Sequence, residues 1–406
     1  MMNHLKTLAL AKTLALAATL FLAGAGASHA APCSTDMAFG PWLDGVRAEA
    51  AAQGVSQATI SRALDGARFD ESIVARDRRQ SVFSQTFLEF AGRMVNQNRL
   101  DHGANNLRKH ASTFQRIEQQ WGVPGPVIAA FWGLETDYGA NIGDLPTINS
   151  LVAMAYDCRR PERFRGELIA ALKIIERGDL AIHEMVGPWA GELGQLQFLP
   201  SHYFTYAVDF DGDGRRDLLR NAPDALASAA NYMSAIGWRP NEPWLEEVQV
   251  PGNLPWAEAD IAITHPRSQW AQWGVSLRGG QPLPQDSYPA SLVLPMGRNG
   301  PAFLAYPNYH VFLEWNESFI YATTVAYFAT RLAGAPRVAE GNGPVAPFGF
   351  EDIKRLQELL ARRGYDVGGI DGMMGAKTRA AVKAVQLELG LPADSYPTPE
   401  LVSRLR

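Results

Sequence analysis

Apolar residues recur at helical spacing along most of the chain. Between residues 39 and 120, Ala48, Ala51 and Ala52, then Ile60 and Leu64, fall on one face, and Gly54 and Gly66 are stops. Val82 to Val95 and Phe114 to Trp121 continue the pattern. From Val123 the signal changes. Pro124 and Pro126 can open a helix, Val127 to Leu134 is apolar on every side, and Gly139 is a candidate left-handed cap. A helix without a polar face predicts complete burial. Arg163 to Glu176 is a further helix, carried by Leu168, Leu172 and Ile175 and closed by Gly178. Asp224 to Ile236, between Pro223 and Gly237, is another.

Between about 245 and 315 the period shortens. Val248 to Val250, Ser291 to Leu294 and Phe303 to Tyr306 are strand-like runs among Pro and Gly, which predicts a small strand-rich insertion. Ser318 to Leu332 returns to helix. Residues 336–349 have neither period and read as a Pro/Gly linker. The remaining 350–406 read as helix (Ile353 to Arg363), Gly-rich turn, helix (Thr378 to Leu389) and short helix (Pro399 to Leu405). The class is therefore mainly α.

The N-terminus departs from this pattern. Lys6 and Lys12 precede an Ala/Leu-rich run, no charged residue occurs from Thr13 to Thr35, and Ser28-His29-Ala30 has small residues suited to cleavage. Residues 1–30 read as a secretory signal peptide, too short in their apolar run for a membrane span. Pro32 and Ala30 do not form a lipoprotein cleavage box around Cys33, so a soluble exported protein is expected. Export favours a disulfide between Cys33 and Cys158, the two cysteines of the chain. Removing residues 1–30 takes two lysines and no acids, so the formal net charge of −5 becomes 35 − 42 = −7. That acidity argues against general nucleic-acid binding but not against a mostly uncharged polysaccharide.

Glu135 ends the apolar helix in Phe131-Trp132-Gly133-Leu134-Glu135-Thr136-Asp137-Tyr138-Gly139. Desolvation by Phe131, Trp132 and Leu134 favours the protonated carboxyl, and the negative end of the helix dipole acts in the same direction. Such an acid suits protonation of a glycosidic oxygen, although a glutamate reaching water from a helix end has the same sequence signature. A second segment, Gly187-Pro188-Trp189-Ala190-Gly191-Glu192-Leu193-Gly194-Gln195-Leu196-Gln197-Phe198-Leu199-Pro200-Ser201, has the glycines, amides and aromatics that line a sugar cleft. Asp209, Asp211, Asp213 and Asp217 stand at loop positions 1, 3, 5 and 9 with Gly214 at position 6, a spacing that wraps oxygen ligands around one cation; Arg220 stands where position 12 needs Glu.

Jointly, Gly133-Leu134-Glu135-Thr136-x-Tyr138-Gly139, Trp189-Ala190-Gly191-x-x-Gly194-Gln195-x-Gln197-Phe198-x-Pro200-Ser201, Asp209-Phe210-x-Gly212-Asp213-Gly214 and Trp315-Asn316-x-Ser318-x-x-Tyr321-Ala322 resemble the membrane-bound lytic transglycosylase B family in its soluble exported form. The resemblance covers roughly residues 35–335 and implies a lysozyme-like catalytic domain over 31–335. It implies cleavage of the MurNAc–GlcNAc β-1,4 bond of peptidoglycan without water, leaving 1,6-anhydro-MurNAc ends. Glu135 would act as acid and then base, with no catalytic cofactor. Gln197 and Phe198 would bind substrate; Asn316 and Tyr321 would line the cleft floor. Asp224 would complete a structural Ca²⁺ shell begun by Asp209, Asp211, Asp213 and Asp217. Family members often carry a hydroxyl residue placed to bond the catalytic Glu where this chain has Pro188, which leaves the orientation of Glu135 open; activation of the nucleophile would rely on the substrate or on backbone groups.

Residues 350–406 resemble the small three-helix peptidoglycan-binding domain through Ile353-x-x-Leu356-Gln357-x-x-Leu360, Gly369-Ile370-Asp371-Gly372 and Thr378-x-x-Ala381-Val382-x-x-Val385-Gln386, with Thr378 as a helix cap. The expected role is to concentrate the core on the wall. The expected partners are peptidoglycan glycan strands, with cell-wall remodelling proteins as candidates, and the expected state is a monomer in the periplasm. A hydrolytic muramidase and a non-catalytic wall-binding scaffold are the alternatives.

Overall fold

The computed structural model describes residues 34–78, 85–346 and 348–406. The signal-peptide assignment and Cys33 lie outside these residues, as does the start of the Val82–Val95 run, of which Phe87–Met94 is helical. Cys158 is not a free thiol.

Helices dominate, as expected. The stretch from 39 to 120 divides into short helices because polar caps interrupt it. Ser56 receives the amide of Thr59, Thr86 forms a capping box with Glu89, and Asn96 receives the amide of Arg99. The apolar helix, Gly125–Thr136, is buried at every residue except Pro126 and Glu135. Helices Phe319–Leu332 and Gln97–Lys109 pack on it. Gly133 and Gly103, one on each of the helices Gly125–Thr136 and Gln97–Lys109, leave room for the Tyr138 ring. A Cβ on Gly133 would meet Tyr138 Oη at 2.7 Å and Phe328 at 2.9 Å, and one on Gly103 would meet Tyr138 Oη at 2.5 Å.

The helix stops at Thr136, before Gly139. Asp137 and Tyr138 already take φ values of 50° and 64°. Asp137 is held there by an ion pair to Arg99 (2.5 Å), and Tyr138 donates to the Arg99 carbonyl (2.7 Å). Tertiary contacts thus place non-glycine residues in the left-handed region.

The insertion is a five-stranded antiparallel sheet ordered His265–Pro266, Pro289–Val293, Ala302–Ala305, Leu245–Gln249, Ser276–Leu277. Leu292 pairs with Leu304, and Leu245 with Ala305. Leu292 and Leu304 face a local core with Trp270, while Val293, Phe303 and Ala305 face the helical body. Coverage on both faces explains the uninterrupted apolar run Ala302–Ala305.

Residues 336–346 run along this sheet. Ala339 donates to Glu247 (2.8 Å), Asn342 to the Val250 carbonyl (3.0 Å) and Gly343 to the Asn299 carbonyl (3.1 Å). The linker segment is therefore fixed along the sheet over this length. Beyond it, helices Phe350–Arg362, Ala376–Glu388 and Pro399–Arg404 close a core of Leu356, Leu360, Val382, Val385 and Leu401. Thr378 does not cap its helix. Gly375 occupies the cap, and buried Thr378 instead receives Gln357 Nε2 (3.2 Å) and donates to the Val367 carbonyl (3.3 Å). Its register, third in the helix, turns it toward the core. The module docks on the core. Arg379 lies over the Phe319 ring (4.5 Å) and donates to the Leu294 carbonyl (2.9 Å), Lys383 pairs with Asp260 (2.9 Å), and Arg298 pairs with buried Asp394 (3.2 Å).

Candidate active site

Glu135 enters the cleft from the last turn of the buried helix. Its residue keeps a window to solvent, but its carboxyl lies deep, and burial pushes its pKa up from 4.5 to about 7. The Tyr321 hydroxyl donates to Glu135 Oε1 and, with a hydrogen bond from Trp315, partly opposes that rise; the charge of Glu192 adds to it. Burial and the Glu135 charge hold the Tyr321 hydroxyl protonated far above its ordinary range. The orientation of Glu135 thus has a source the sequence did not suggest. Pro188 offers no hydroxyl, and Tyr321, from the first turn of helix Phe319–Leu332, supplies one.

The second segment is stitched to the catalytic helix. Thr136 Oγ1 donates to the Gln195 carbonyl (2.6 Å), Trp132 Nε1 donates to Gln195 Oε1 (3.0 Å), and Gln195 Nε2 donates to the Leu219 carbonyl (3.2 Å). The amide of Gln195 closes the set on the Leu218 carbonyl (2.8 Å). Gly194, at φ 80°, has no room for a side chain, since a Cβ would meet the Leu218 carbonyl oxygen at 2.5 Å. The role of Gln195 has no signal in the spacing of the chain, because its neighbours come from distant segments.

The site residues expected from sequence fall into two groups. Gln197, at φ 50°, is held in the cleft wall by a bond from Nε2 to the Gly194 carbonyl (2.8 Å). Phe198 is only 2% exposed and packs edge-on against Trp315 (5.4 Å). It backs the aromatic wall and has no face free for a sugar, because its strand-like bridge to Leu193 turns it inward. Asn316 spends its Oδ1 on the Ser318 amide (2.9 Å), an Asx turn that launches the helix bearing Tyr321. Trp315, beside it, helps to lower the Glu135 pKa, and it packs on Phe131 (4.5 Å) and Tyr232 (5.3 Å).

The acidic loop brings Asp209, Asp211 and Asp213 together, with one oxygen of each within 4.8 Å of the others. This hard-oxygen set fits a divalent cation. Asp217 and Asp224 are spent differently. Asp217 caps the amides of Leu219 and Arg220, and fully buried Asp224 receives those of Phe210 (2.8 Å) and Asp217 (3.0 Å). Asp224 thus cross-ties the two ends of the loop. Arg220 is drawn out of the loop by Glu184 (2.6 Å).

A buried, proton-retaining carboxyl on a mainly helical core, with a small helical module docked beside it, fits the lysozyme-like class. The chain belongs to the transglycosylase SLT domain family, which residues 38–330 match, and residues 351–405 match the putative peptidoglycan binding domain. It is 29% identical over 240 residues to membrane-bound lytic murein transglycosylase B of Escherichia coli K12, covering 59% of this chain and 65% of that protein. The structure is similar to SltB3 of Pseudomonas aeruginosa, solved with NAG-anhNAM-pentapeptide, at a TM-score of 0.84 and 39% identity over 91% of this chain and 100% of that one. It is similar also to the E. coli lytic transglycosylase Slt35 solved with calcium, at a TM-score of 0.62 and 25% identity over 72% and 92% of the two chains.

Proposed function

We propose that this protein is an exported, periplasmic lytic transglycosylase that cleaves the MurNAc–GlcNAc bond of peptidoglycan, with Glu135 as its acid and base. The observation that carries this reading is the Glu135 carboxyl, buried to a pKa of about 7 and held by Tyr321 and Trp315. At neutral pH a large fraction of it is protonated and able to act on a leaving oxygen. The Glu135 proton passes to the GlcNAc O4 as the C1–O4 bond breaks, and the muramic acetamido carbonyl takes up the positive C1. The Glu135 carboxylate then accepts the proton of the muramic C6 hydroxyl as O6 bonds to C1 and the C1–O bond to the acetamido oxygen breaks, which restores the acetamide, regenerates the acid and closes the 1,6-anhydro ring. The relative solved with an anhydro-muramyl ligand supports this course, as does the matching peptidoglycan-binding module.

Mass spectrometry of soluble products from purified peptidoglycan tests the reading. Ends of 1,6-anhydro-muramic acid are expected. Reducing muramic ends would identify a hydrolase, for which the nearby Glu192 is a candidate second carboxyl, and no release would identify a binding scaffold.

Asp209, Asp211 and Asp213 would hold a structural Ca²⁺ that ties the loop together and takes no part in the chemistry. A ligand present at 100 times its Kd stabilises by about 2.7 kcal/mol. Calcium should therefore raise the melting temperature of chelator-treated protein, and Asp211→Asn should abolish the response.

A further inference from the structure

The end of the catalytic helix is held in a conformation that its residues do not favour. Asp137 and Tyr138, two and three positions beyond Glu135, follow one another at φ 50° and 64°. Many helices close through one left-handed residue, and glycine usually supplies it because a Cβ is crowded there. Here two consecutive residues with side chains do so, and the second is a bulky aromatic that seldom enters this region. Such a conformation persists only where its surroundings impose it. The amides of Asp137 and Tyr138 close on the carbonyls of Gly133 (3.2 Å) and Trp132 (3.1 Å), so the turn they lock is the one that carries Glu135.

One residue of helix Gln97–Lys109 holds both. The Arg99 side chain, largely buried, reaches Asp137 Oδ1 through Nη2 (2.5 Å) and Nε (2.7 Å), and Asn141 donates to the other oxygen (3.2 Å). The Arg99 carbonyl accepts the Tyr138 hydroxyl (2.7 Å). Arg99 is itself fixed, because its Nη1 donates to the Met94 carbonyl and its amide to the Asn96 side chain (2.9 Å). The Tyr138 ring then lies edge-on to Trp132 (5.5 Å), the residue joined to Gln195. Ending the helix does not require this apparatus, since one glycine at position 137 would do so.

We propose that Arg99 is a positioning residue for the acid step: by holding Asp137 with its guanidinium and Tyr138 with its carbonyl, it fixes the last helical turn so that the Glu135 carboxyl meets the Tyr321 hydroxyl. The proposal rests on the glycan-cleaving reading above. The Arg99 charge acts in the same direction as its bonds. Burial and the Glu135 charge hold the proton on Tyr321, and Arg99 opposes them, which makes the Tyr321 hydroxyl a stronger donor to Glu135.

The test compares the full-length protein with Asp137→Asn, Arg99→Gln, Arg99→Lys and the double variant Arg99→Gln/Asp137→Asn on soluble GlcNAc–MurNAc oligomers. Asparagine tolerates the left-handed region and matches aspartate in shape, so Asp137→Asn removes the charge and spares the fold. It carries the test if Arg99→Gln unfolds. Each of Asp137→Asn and Arg99→Gln should lower kcat roughly tenfold with KM little changed, because a displaced acid costs rate rather than binding. The double variant should fall no further than the weaker single, since both remove the same pair. Arg99→Lys keeps a cation and should recover most of kcat. In Arg99→Gln the weaker Tyr321 donor should also move the alkaline limb of the kcat profile to higher pH, a change that loss of packing alone does not produce. Wild-type kcat in Asp137→Asn at a wild-type melting temperature, or losses that multiply in the double variant, would overturn the proposal. Failure of the unaltered protein to release any product would instead refute the glycan-cleaving reading.

Discussion

Replacing Glu135 by Gln should destroy cleavage and at the same time stabilise the protein, but only in one pH range. A glutamate with a pKa of 4.5 in the unfolded chain and about 7 in the fold binds its proton more tightly when folded. Below pH 4.5 both states are protonated and the group is neutral to stability. Between pH 4.5 and about 7 the unfolded chain releases the proton and the folded one keeps it, so stability falls as pH rises. Above about 7 the full penalty remains, about 3 kcal/mol at 1.36 kcal/mol per tenfold change in proton affinity. The solvent window at Glu135 makes this an upper figure. Gln has the same shape, still accepts the Tyr321 hydroxyl and carries no charge, so the variant escapes the penalty. Scanning calorimetry of both proteins at pH 4.5 and pH 8 measures it. The variant should melt several degrees higher at pH 8, with the difference largely gone at pH 4.5. Equal gains at both pH values would assign the effect to packing. No gain at pH 8 would refute the buried-acid account.

Other consequences are independent of that test. Tyr321→Phe removes the donor that orients Glu135, so kcat should fall by about a hundredfold; because that bond lowers the Glu135 pKa, the alkaline limb of the pH profile should move upward. Gly133→Ala sets a methyl against Tyr138 and Phe328 and should cost about 1–3 kcal/mol, read as a lower melting temperature. Arg379→Ala removes the module's contact with Phe319, the first residue of the Tyr321 helix. If docking helps to hold that helix, cleavage of short soluble glycans should fall as well as cleavage of intact wall. A module acting only as a tether would spare the soluble substrate.

The helical class, the sheet insertion and the terminal three-helix module were all legible in the sequence, as was Glu135 as the candidate acid. Each is written in local order: the 3.6 period, the short runs between Pro and Gly, and an apolar helix ending in one acid. Local order also misled. Gly139 reads as the cap, yet the Arg99–Asp137 pair, 38 positions apart, ends the helix earlier; Thr378 reads as a cap, yet its register turns it into the core. The resemblance implies a substrate contact for Phe198 and a place on the cleft floor for Asn316, yet Phe198 is buried against Trp315 and Asn316 builds the turn before Tyr321. What only the tertiary structure decided is how Glu135 meets its partners. Tyr321 is 186 positions away, and Glu192 lies in a segment whose seat against the helix depends on Gln195. The sequence by itself singled out the candidate acid, because an apolar helix ending in one carboxyl is a local pattern. The partners that orient and charge that acid depend on which distant segments pack against one helix end, and no period along the chain records that.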